Sequence, residues 1–255
     1  MSDYSKYLIP HTATIREALV ALNDLSHDVL VLFVMNEFDQ MVGTLTDGDI
    51  RRYLIGGGEI KDCVCGAMTR SFLFMTEDSP FSTIKEYKDR GISLVPCLDG
   101  KKRILKVINL KKRKSILPID AVLMAGGKGE RLRPLTETIP KPLLHVGDKA
   151  IIDYNVDRLI SYGVEHISVT VNYLGEQLED HFKEPHDGIR VKCVREPRYL
   201  GTIGSIKFVY PFCHDTVLVM NSDLFTNIDY EDFYLHFKEN DADMSIAAVP
   251  YSISV

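Results

Sequence analysis

The chain has 255 residues, of which 45% are hydrophobic and 26% are charged, and its net charge at neutral pH is −6. This composition is typical of a globular protein with a buried core and argues against disorder. The negative net charge disfavours nucleic acid as a partner, because phosphate backbones are bound by clustered lysine and arginine. Without a long apolar run or a signal-peptide pattern, we expect no membrane partner and a cytoplasmic location.

Residues 14 to 114 contain one structural pattern twice. In the first copy, Thr14 and Glu17 predict a helix that starts with a capping box. A strand from Val29, a turn and a second strand follow it. The second copy has a helix that ends at Gly91, the strand SLVPCL, a turn and another strand. Five scattered cysteines complete no zinc pattern, so we expect reduced thiols.

The segment GTLTDGDI, residues 43 to 50, follows the second strand of the first copy. The helix, strand, turn, strand repeat resembles a pair of cystathionine-β-synthase (CBS) domains, regulatory modules that commonly bind adenine nucleotides. The resemblance implies that Thr46 and Asp49 contact a ribose, whose paired hydroxyls suit a carboxylate acceptor. A second interpretation is that both residues only cap the next helix. Asn109 replaces the acid in the second copy, so at most one ribose site is predicted.

From Ile119 onward, short apolar segments alternate with amphipathic ones. Strands that are apolar on both faces and separated by helices favour a mainly parallel sheet with helices on both sides. Ligands of such sheets bind at the carboxyl ends of the strands. We predict strands at 119–125, 167–174, 189–196, 216–223 and 244–251, and helices at 151–162, 175–182, 202–210 and 230–239.

The segment GGKGERLRPLTETIPKP, residues 126 to 142, directly follows the first of these strands. Its glycines allow backbone amides to approach phosphate oxygens. The sequence Gly-x-Gly-x-Arg, nine residues, Lys resembles the signature of the sugar-1-phosphate nucleotidyltransferases, and VNYLGEQLEDHF, EPRYLGTIGSI and NSD agree with that family in order and spacing. The implied fold class is α/β, a Rossmann-like, mainly parallel sheet of the nucleotide-diphospho-sugar transferase type, preceded by an α+β CBS pair.

The resemblance implies transfer of a nucleotidyl group from a nucleoside triphosphate, with GTP favoured, to a sugar 1-phosphate, as in bacterial guanylyltransferases that act on mannose or related sugars. Arg131 and Lys128 would hold the β and γ phosphates. Lys141 would neutralise the sugar phosphate and the α-phosphate, and Asp223 would bind Mg²⁺. Leu123, Gly126, Glu196 and Gly201 would surround the base. Gly127 and Gly129 are the remaining residues expected at the nucleotide.

The expected organisation is a regulatory CBS pair at 1–114, a basic linker, and the amino-terminal part of a catalytic domain at 119–255. In this family the catalytic domain continues further, so we expect a fragment that binds nucleotide weakly and turns over poorly. A homodimer and an AMP-type or ATP-type effector are implied by the CBS resemblance. Two alternatives stay open: a catalytically inactive nucleotide-sensing protein, and a cytidylyltransferase that acts on an alcohol phosphate.

Overall fold

The structure is a computed structural model that describes residues 4–80, 82–198, 200–201 and 203–248. The chain divides into two compact units, with the boundary between Lys114 and Ser115. Each unit has its own cluster of buried apolar side chains. Among the described helices, none is both long enough and apolar enough to cross a membrane.

The first unit is an α+β structure built on a three-stranded sheet and a separate hairpin. In the sheet, the central strand pairs in parallel with the first strand and antiparallel with the third. Apolar residues of the sheet and of the hairpin share one buried cluster. The elements in chain order are β1 (Leu8–Pro10), α1 (Ile15–Asp24), β2 (Val31–Met35), β3 (Met41–Thr46), α2 (Asp47–Ile55), α3 (Ser82–Asp89), β4 (Leu94–Leu98) and β5 (Ile104–Asn109).

The predicted repeat is confirmed by the chemistry of the two hairpin turns. Asn36 after β2 and Asp99 after β4 each use a side-chain oxygen to accept hydrogen bonds from the amides two and four residues later. The residue three positions after each of them has a left-handed backbone, with φ 56° at Asp39 and 61° at Lys102. Both hairpins also have a bulge at the end of their first strand. The two copies therefore form the same turn from different residues.

The second unit contains a four-stranded parallel sheet, as predicted. From one edge to the other, its strands are Val191–Arg195, His166–Val171, Asp120–Ala125 and Val217–Asn221, and helices pack against the sheet. The α/β fold class is thus confirmed for this half of the chain. The elements are β6 (Asp120–Ala125), β7 (His145–Val146), β8 (Lys149–Ala150), α4 (Ile151–Ser161), β9 (His166–Val171), α5 (Gly175–His181), β10 (Val191–Arg195), β11 (Val217–Asn221) and α6 (Tyr230–Glu239).

Two predicted elements of the second unit differ from the structure. The segment predicted as a strand at 244–251 is irregular over 244–248, with Met244 and Ile246 70% and 74% exposed, and its last three residues lie outside the described ones. A strand requires a partner, and no described strand pairs with this segment. The helix predicted at 202–210 is only a 3₁₀ turn, Gly204–Phe208, because glycine is a poor helix former.

An ion pair between Asp153 of α4 and His181 of α5 connects these two helices, with 2.7 Å between Oδ1 and Nε2. The hydrogen bond to Asp153 raises the pKa of His181, and burial opposes it. Because the folded pKa lies above the unfolded value of about 6.5, the pair stabilises the protein fully below that pH. The stabilisation is lost as the pH rises through the folded pKa.

We therefore expect His181→Asn to lower the free energy of unfolding by about 1 kcal/mol near pH 6, and by less near pH 8. Urea unfolding at both pH values measures the difference. The control is His145→Asn, which removes an exposed imidazole in β7. Equal losses at the two pH values for His181→Asn would show that protonation of this pair does not stabilise the fold.

Candidate active site

The residues singled out in the second unit follow the carboxyl ends of four parallel strands. Gly126 follows β6, Asn172 follows β9 and Glu196 follows β10, while Asp223 lies two residues beyond β11. Since the strands are parallel, their carboxyl ends lie at one edge of the sheet. This edge is the usual ligand site of an open α/β sheet.

Lys141 and Asp223 form an ion pair at this edge, as the Lys141 Nζ contacts Asp223 Oδ2. The lysine side chain is 40% exposed and the aspartate side chain 22% exposed, so both are accessible to a ligand. The pair joins the end of the glycine-rich segment to the loop that follows β11. It places a cation and a carboxylate side by side at the end of the two neighbouring strands β6 and β11.

The position of Asp223 is fixed by the buried residue that precedes it. Ser222 is 2% exposed, and its Oγ donates to the carbonyl of Met124 in β6 over 2.8 Å. Asn155 of α4, which is 3% exposed, donates from Nδ2 to the Ser222 carbonyl over 3.1 Å. The Arg158 guanidinium of the same helix donates to two carbonyls further along the loop. The loop after β11 is therefore held both by the sheet and by α4.

The glycine-rich segment is held by side chains that sequence reasoning did not identify. Gly129 has φ 62°, and its carbonyl accepts a hydrogen bond from Thr136 Oγ1 over 2.9 Å. The Tyr173 hydroxyl lies 3.1 and 3.2 Å from the carbonyls of residues 136 and 137, and Gln177 Nε2 donates to the Thr138 carbonyl over 2.8 Å. Tyr173 and Gln177 belong to the segment VNYLGEQL, and the family resemblance assigned neither of them a role.

Glu196 is a buried carboxylate, 5% exposed, beside the first glycine of the loop. A methyl group added at Gly126 would lie 2.5 Å from Glu196 Oε1, so the glutamate side chain would have to shift to accommodate it. The other oxygen, Oε2, is buried and has no hydrogen-bond partner among the described residues. Because a buried polar atom without a partner is unfavourable, a ligand that supplied hydrogen-bond donors would be favoured here.

The other residues predicted for this site differ in their exposure. Arg131, Lys128 and Gly127 are exposed on the loop, and Gly201 is exposed with φ 76°. Leu123, predicted to lie beside the base, has a completely buried side chain in the core cluster. Position 123 is the fourth residue of β6, and strands of a central sheet are covered on both faces.

In the first unit, Thr46 and Asp49 form the capping box of α2. Thr46 accepts from the Asp49 amide, and Asp49 Oδ2 accepts from the Thr46 amide over 2.9 Å and from its hydroxyl over 2.6 Å. Asp49 Oδ1 also contacts Arg52 and Thr69. The capping interpretation therefore describes the observed contacts, and a ribose would have to replace some of them.

The first unit also contains an open cavity of about 710 Å³. Its lining includes the segment Pro10–Thr12, the turn residues Asn36 and Asp99, and Arg103. Thr46 and Asp49 are not part of the lining, because they lie at the opposite end of β3 from that turn.

With this geometry established, comparison with known proteins decides the family. A sequence model of the family described as nucleotidyl transferase matches residues 120–254, more than half of the chain. The chain belongs to the nucleotidyl transferase family. The predicted family is thus confirmed, and a CBS domain model matches residues 5–56.

The nucleotidyl transferase region is similar to several curated enzymes. It is 34% identical over 125 residues to the mannose-1-phosphate guanylyltransferase catalytic subunit beta of Xenopus tropicalis, which covers 47% of this chain and 35% of that protein. It is 31% identical to the D-glycero-alpha-D-manno-heptose 1-phosphate guanylyltransferase of Campylobacter jejuni, over 46% and 53% of the two chains. It is 38% identical to the N-acetylmuramate alpha-1-phosphate uridylyltransferase of Neisseria meningitidis, over 43% and 49%.

The matched region therefore spans about a third to a half of the length of these relatives. Among solved structures, the CBS domains of a transcriptional regulator from Streptococcus pneumoniae superpose with a TM-score of 0.35 at 17% identity, covering 42% of this chain and 86% of that one.

Proposed function

We propose that the protein transfers a nucleotidyl group from a nucleoside triphosphate to a sugar 1-phosphate and releases pyrophosphate. The observation that carries this proposal is the ion pair of Lys141 and Asp223 at the carboxyl edge of the parallel sheet. A partly exposed cation beside a partly exposed carboxylate matches the two needs of a triphosphate site, which are charge neutralisation and a ligand for a divalent cation.

In this proposal the cations of the glycine-rich loop bind different phosphate groups. Lys128 and Arg131, which are exposed, are free to approach the β and γ phosphates and to stabilise departing pyrophosphate. Lys141 neutralises the α-phosphate and the sugar phosphate, while the amides of Gly126, Gly127 and Gly129 face phosphate oxygens. The sugar phosphate attacks the α-phosphorus in line, so catalysis depends on positioning and charge neutralisation.

The residues present fit Mg²⁺ as an ion that the protein would bind together with phosphates and water. Among the described residues, no group of three or more His, Cys, Asp or Glu side chains is arranged to hold a metal. Mg²⁺ in triphosphate sites is commonly bound by one or two carboxylates together with phosphates and water. Asp223 fits as such a carboxylate, because it is partly exposed and its oxygens are hard ligands. The ion would neutralise phosphate charge when bound.

We propose that the base is guanine and that Glu196 recognises it. The donors on guanine are the N1–H and the exocyclic amino group, and an ionised carboxylate with two oxygens can accept from both. Uracil and thymine offer one N–H donor between two carbonyl oxygens, which a carboxylate would repel. The buried, partnerless Oε2 of Glu196 supports this choice. So do the names of the two guanylyltransferase relatives, whereas the third relative uses uridylyl transfer.

Glu196→Gln tests this assignment. An amide donates where the carboxylate accepts, so we expect affinity for GTP to fall about 10-fold to 100-fold and affinity for UTP to rise. Isothermal titration with both nucleotides measures the change. Glu179→Gln is the control, because Glu179 pairs with Arg195 on the helix side and should leave the ratio unchanged. An unaltered preference in Glu196→Gln would place base recognition elsewhere.

We further propose that residues 1–114 are a CBS pair that regulates residues 119–255, in a cytoplasmic homodimer. The match of residues 5–56 to a CBS domain and the repeated hairpin turn support this. The proposed effector is an AMP-type or ATP-type nucleotide. Titration with AMP tests it: Asp49→Ala should abolish binding if Asp49 contacts the ribose, and should only lower the stability of α2 if Asp49 is solely a cap.

The overall proposal is tested by incubating the protein with GTP, UTP, CTP or dTTP and a series of sugar 1-phosphates in the presence of Mg²⁺. Slow release of pyrophosphate with formation of a nucleotide sugar is the expected result, with GTP and mannose or heptose 1-phosphates preferred. Nucleotide binding without product from any pair would favour a sensor, and product from an alcohol phosphate with CTP would favour a cytidylyltransferase.

A further inference from the structure

Two thiols in the first unit are directed at the same oxygen atom. Cys63 Sγ donates to the carbonyl of His11 over 2.9 Å, and Cys65 Sγ donates to the same carbonyl over 3.0 Å. Since each sulfur lies within about 3 Å of one oxygen, the sulfurs are within about 6 Å of each other. Burial, followed by the neighbouring Cys63 thiol, raises the pKa of Cys65.

The backbone around the two cysteines is fixed on both sides. The Val64 amide donates to the Ala13 carbonyl over 2.9 Å, and the Ile15 amide donates to the Asp62 carbonyl over 2.9 Å. The Cys65 amide donates to Cys63 Sγ over 3.3 Å, which holds that sulfur on the side of Cys65. These hydrogen bonds therefore keep Cys63 and Cys65 beside the His11 carbonyl.

The two thiols differ in exposure. Cys63 is exposed and Cys65 is partly buried. An external reagent reaches Cys63 first, and a partly buried neighbour is placed to displace the reagent afterwards. This is the arrangement of an attacking and a resolving thiol, because thiol–disulfide exchange requires access for the first step and proximity for the second.

We propose that Cys63 and Cys65 form a redox-sensitive dithiol that closes into a disulfide by exchange with a low-molecular-weight disulfide such as oxidised glutathione. The Cys63 thiolate attacks one sulfur of oxidised glutathione, the bond between its sulfurs breaks, and one glutathione leaves as a thiolate that takes up a proton. Cys65 then loses its proton and attacks the Cys63 sulfur, which releases the second glutathione. The two cysteines are oxidised, and one oxidised glutathione is reduced to two thiols.

Closure of the disulfide has a local structural consequence. It removes both S–H donors from the His11 carbonyl. His11 belongs to the segment Pro10–Thr12, which lines the cavity of the first unit. Oxidation therefore changes the hydrogen bonding of one wall of that cavity.

The full chain is equilibrated in glutathione buffers of increasing oxidised fraction, its free thiols are alkylated, and its mass and peptides are analysed. We expect the two thiols at 63 and 65 to be lost together, with no lasting glutathione adduct on either. Cys65→Ser should stop at the mixed disulfide on Cys63, because no resolving thiol remains. Cys213→Ser, which removes an isolated exposed thiol, should leave the loss of the pair unchanged.

Two results would overturn the proposal. One is a glutathione adduct on Cys63 of the unaltered protein that is as abundant as in Cys65→Ser, which would show that Cys65 does not resolve it. The other is full alkylation of Cys63 and Cys65, which marks them as free thiols, at buffer ratios that already modify Cys213. The second result is obtained on the unaltered chain alone, so it does not depend on the folding of a variant.

Discussion

Lys141→Ala should weaken the binding of GTP by about 10-fold to 100-fold, because one charge-assisted contact to phosphate is lost. It should also lower turnover by a larger factor, since the same cation stabilises charge in the transition state. Isothermal titration and pyrophosphate release measure the two effects. The matched control is Lys149→Ala, because Lys149 is 38% exposed and paired with Asp157, much as Lys141 is 40% exposed and paired with Asp223. If the two alanine variants bind GTP equally well, Lys141 is a surface lysine.

Replacement of Asp223, the ion-pair partner of Lys141, should not weaken GTP binding when no divalent cation is present. Asp223→Asn releases the lysine from its ion pair, so GTP binding in EDTA should be unchanged or tighter. With Mg²⁺ added, the gain in affinity seen for the unaltered protein should be largely lost, because the carboxylate ligand is missing. A full gain with Mg²⁺ in Asp223→Asn would show that the cation is bound without this residue.

Gly163→Ala is expected to destabilise the second unit strongly. Gly163 follows α4 with φ 79°, and an added methyl group would lie 2.6 Å from the Ser115 carbonyl oxygen and 2.6 Å from Ile116 Cα. These are backbone atoms, which cannot move aside as a side chain can. The left-handed conformation alone costs about 1 kcal/mol, and the contact raises the expected loss of unfolding free energy to about 3 kcal/mol.

Gly188→Ala separates the cost of the left-handed conformation from the cost of the backbone contact. Gly188 has φ 80°, and an added methyl group would meet nothing within 4 Å. Its replacement should therefore cost only the conformational term of about 1 kcal/mol. Urea unfolding of both variants gives the difference. Equal losses would mean that the backbone at Gly163 relaxes around the methyl group.

The parts of the fold that sequence predicted well are those set by local patterns. The capping box of Thr14 and Glu17 forms as expected, because both partners lie within one turn of chain. The helix predicted at 151–162 is α4, Ile151–Ser161. The parallel sheet followed from strands that are apolar on both faces. In each case the pattern and the structure depend on the same few neighbouring residues.

The parts that sequence did not predict depend on distant partners. The segment at 244–248 is as apolar as the true strands but has no described neighbour to pair with. Tyr173 and Gln177 hold the glycine-rich loop through carbonyls 36 to 39 residues away, and backbone carbonyls leave no signal in the sequence. The family resemblance implied that Lys141 and Asp223 both lie at the bound nucleotide, but it did not reveal that they pair with each other.

The strand order also dictates when the second unit can be completed during synthesis. β6 pairs on one side with β9 and on the other with β11, where Leu123 lies opposite Met220. A nascent chain that has emerged only as far as β10 therefore has one edge of β6 uncovered, whereas every strand of the first unit has already emerged. We expect the first unit to fold while the second is still being translated, and chaperones that recognise uncovered apolar strands to act in that interval.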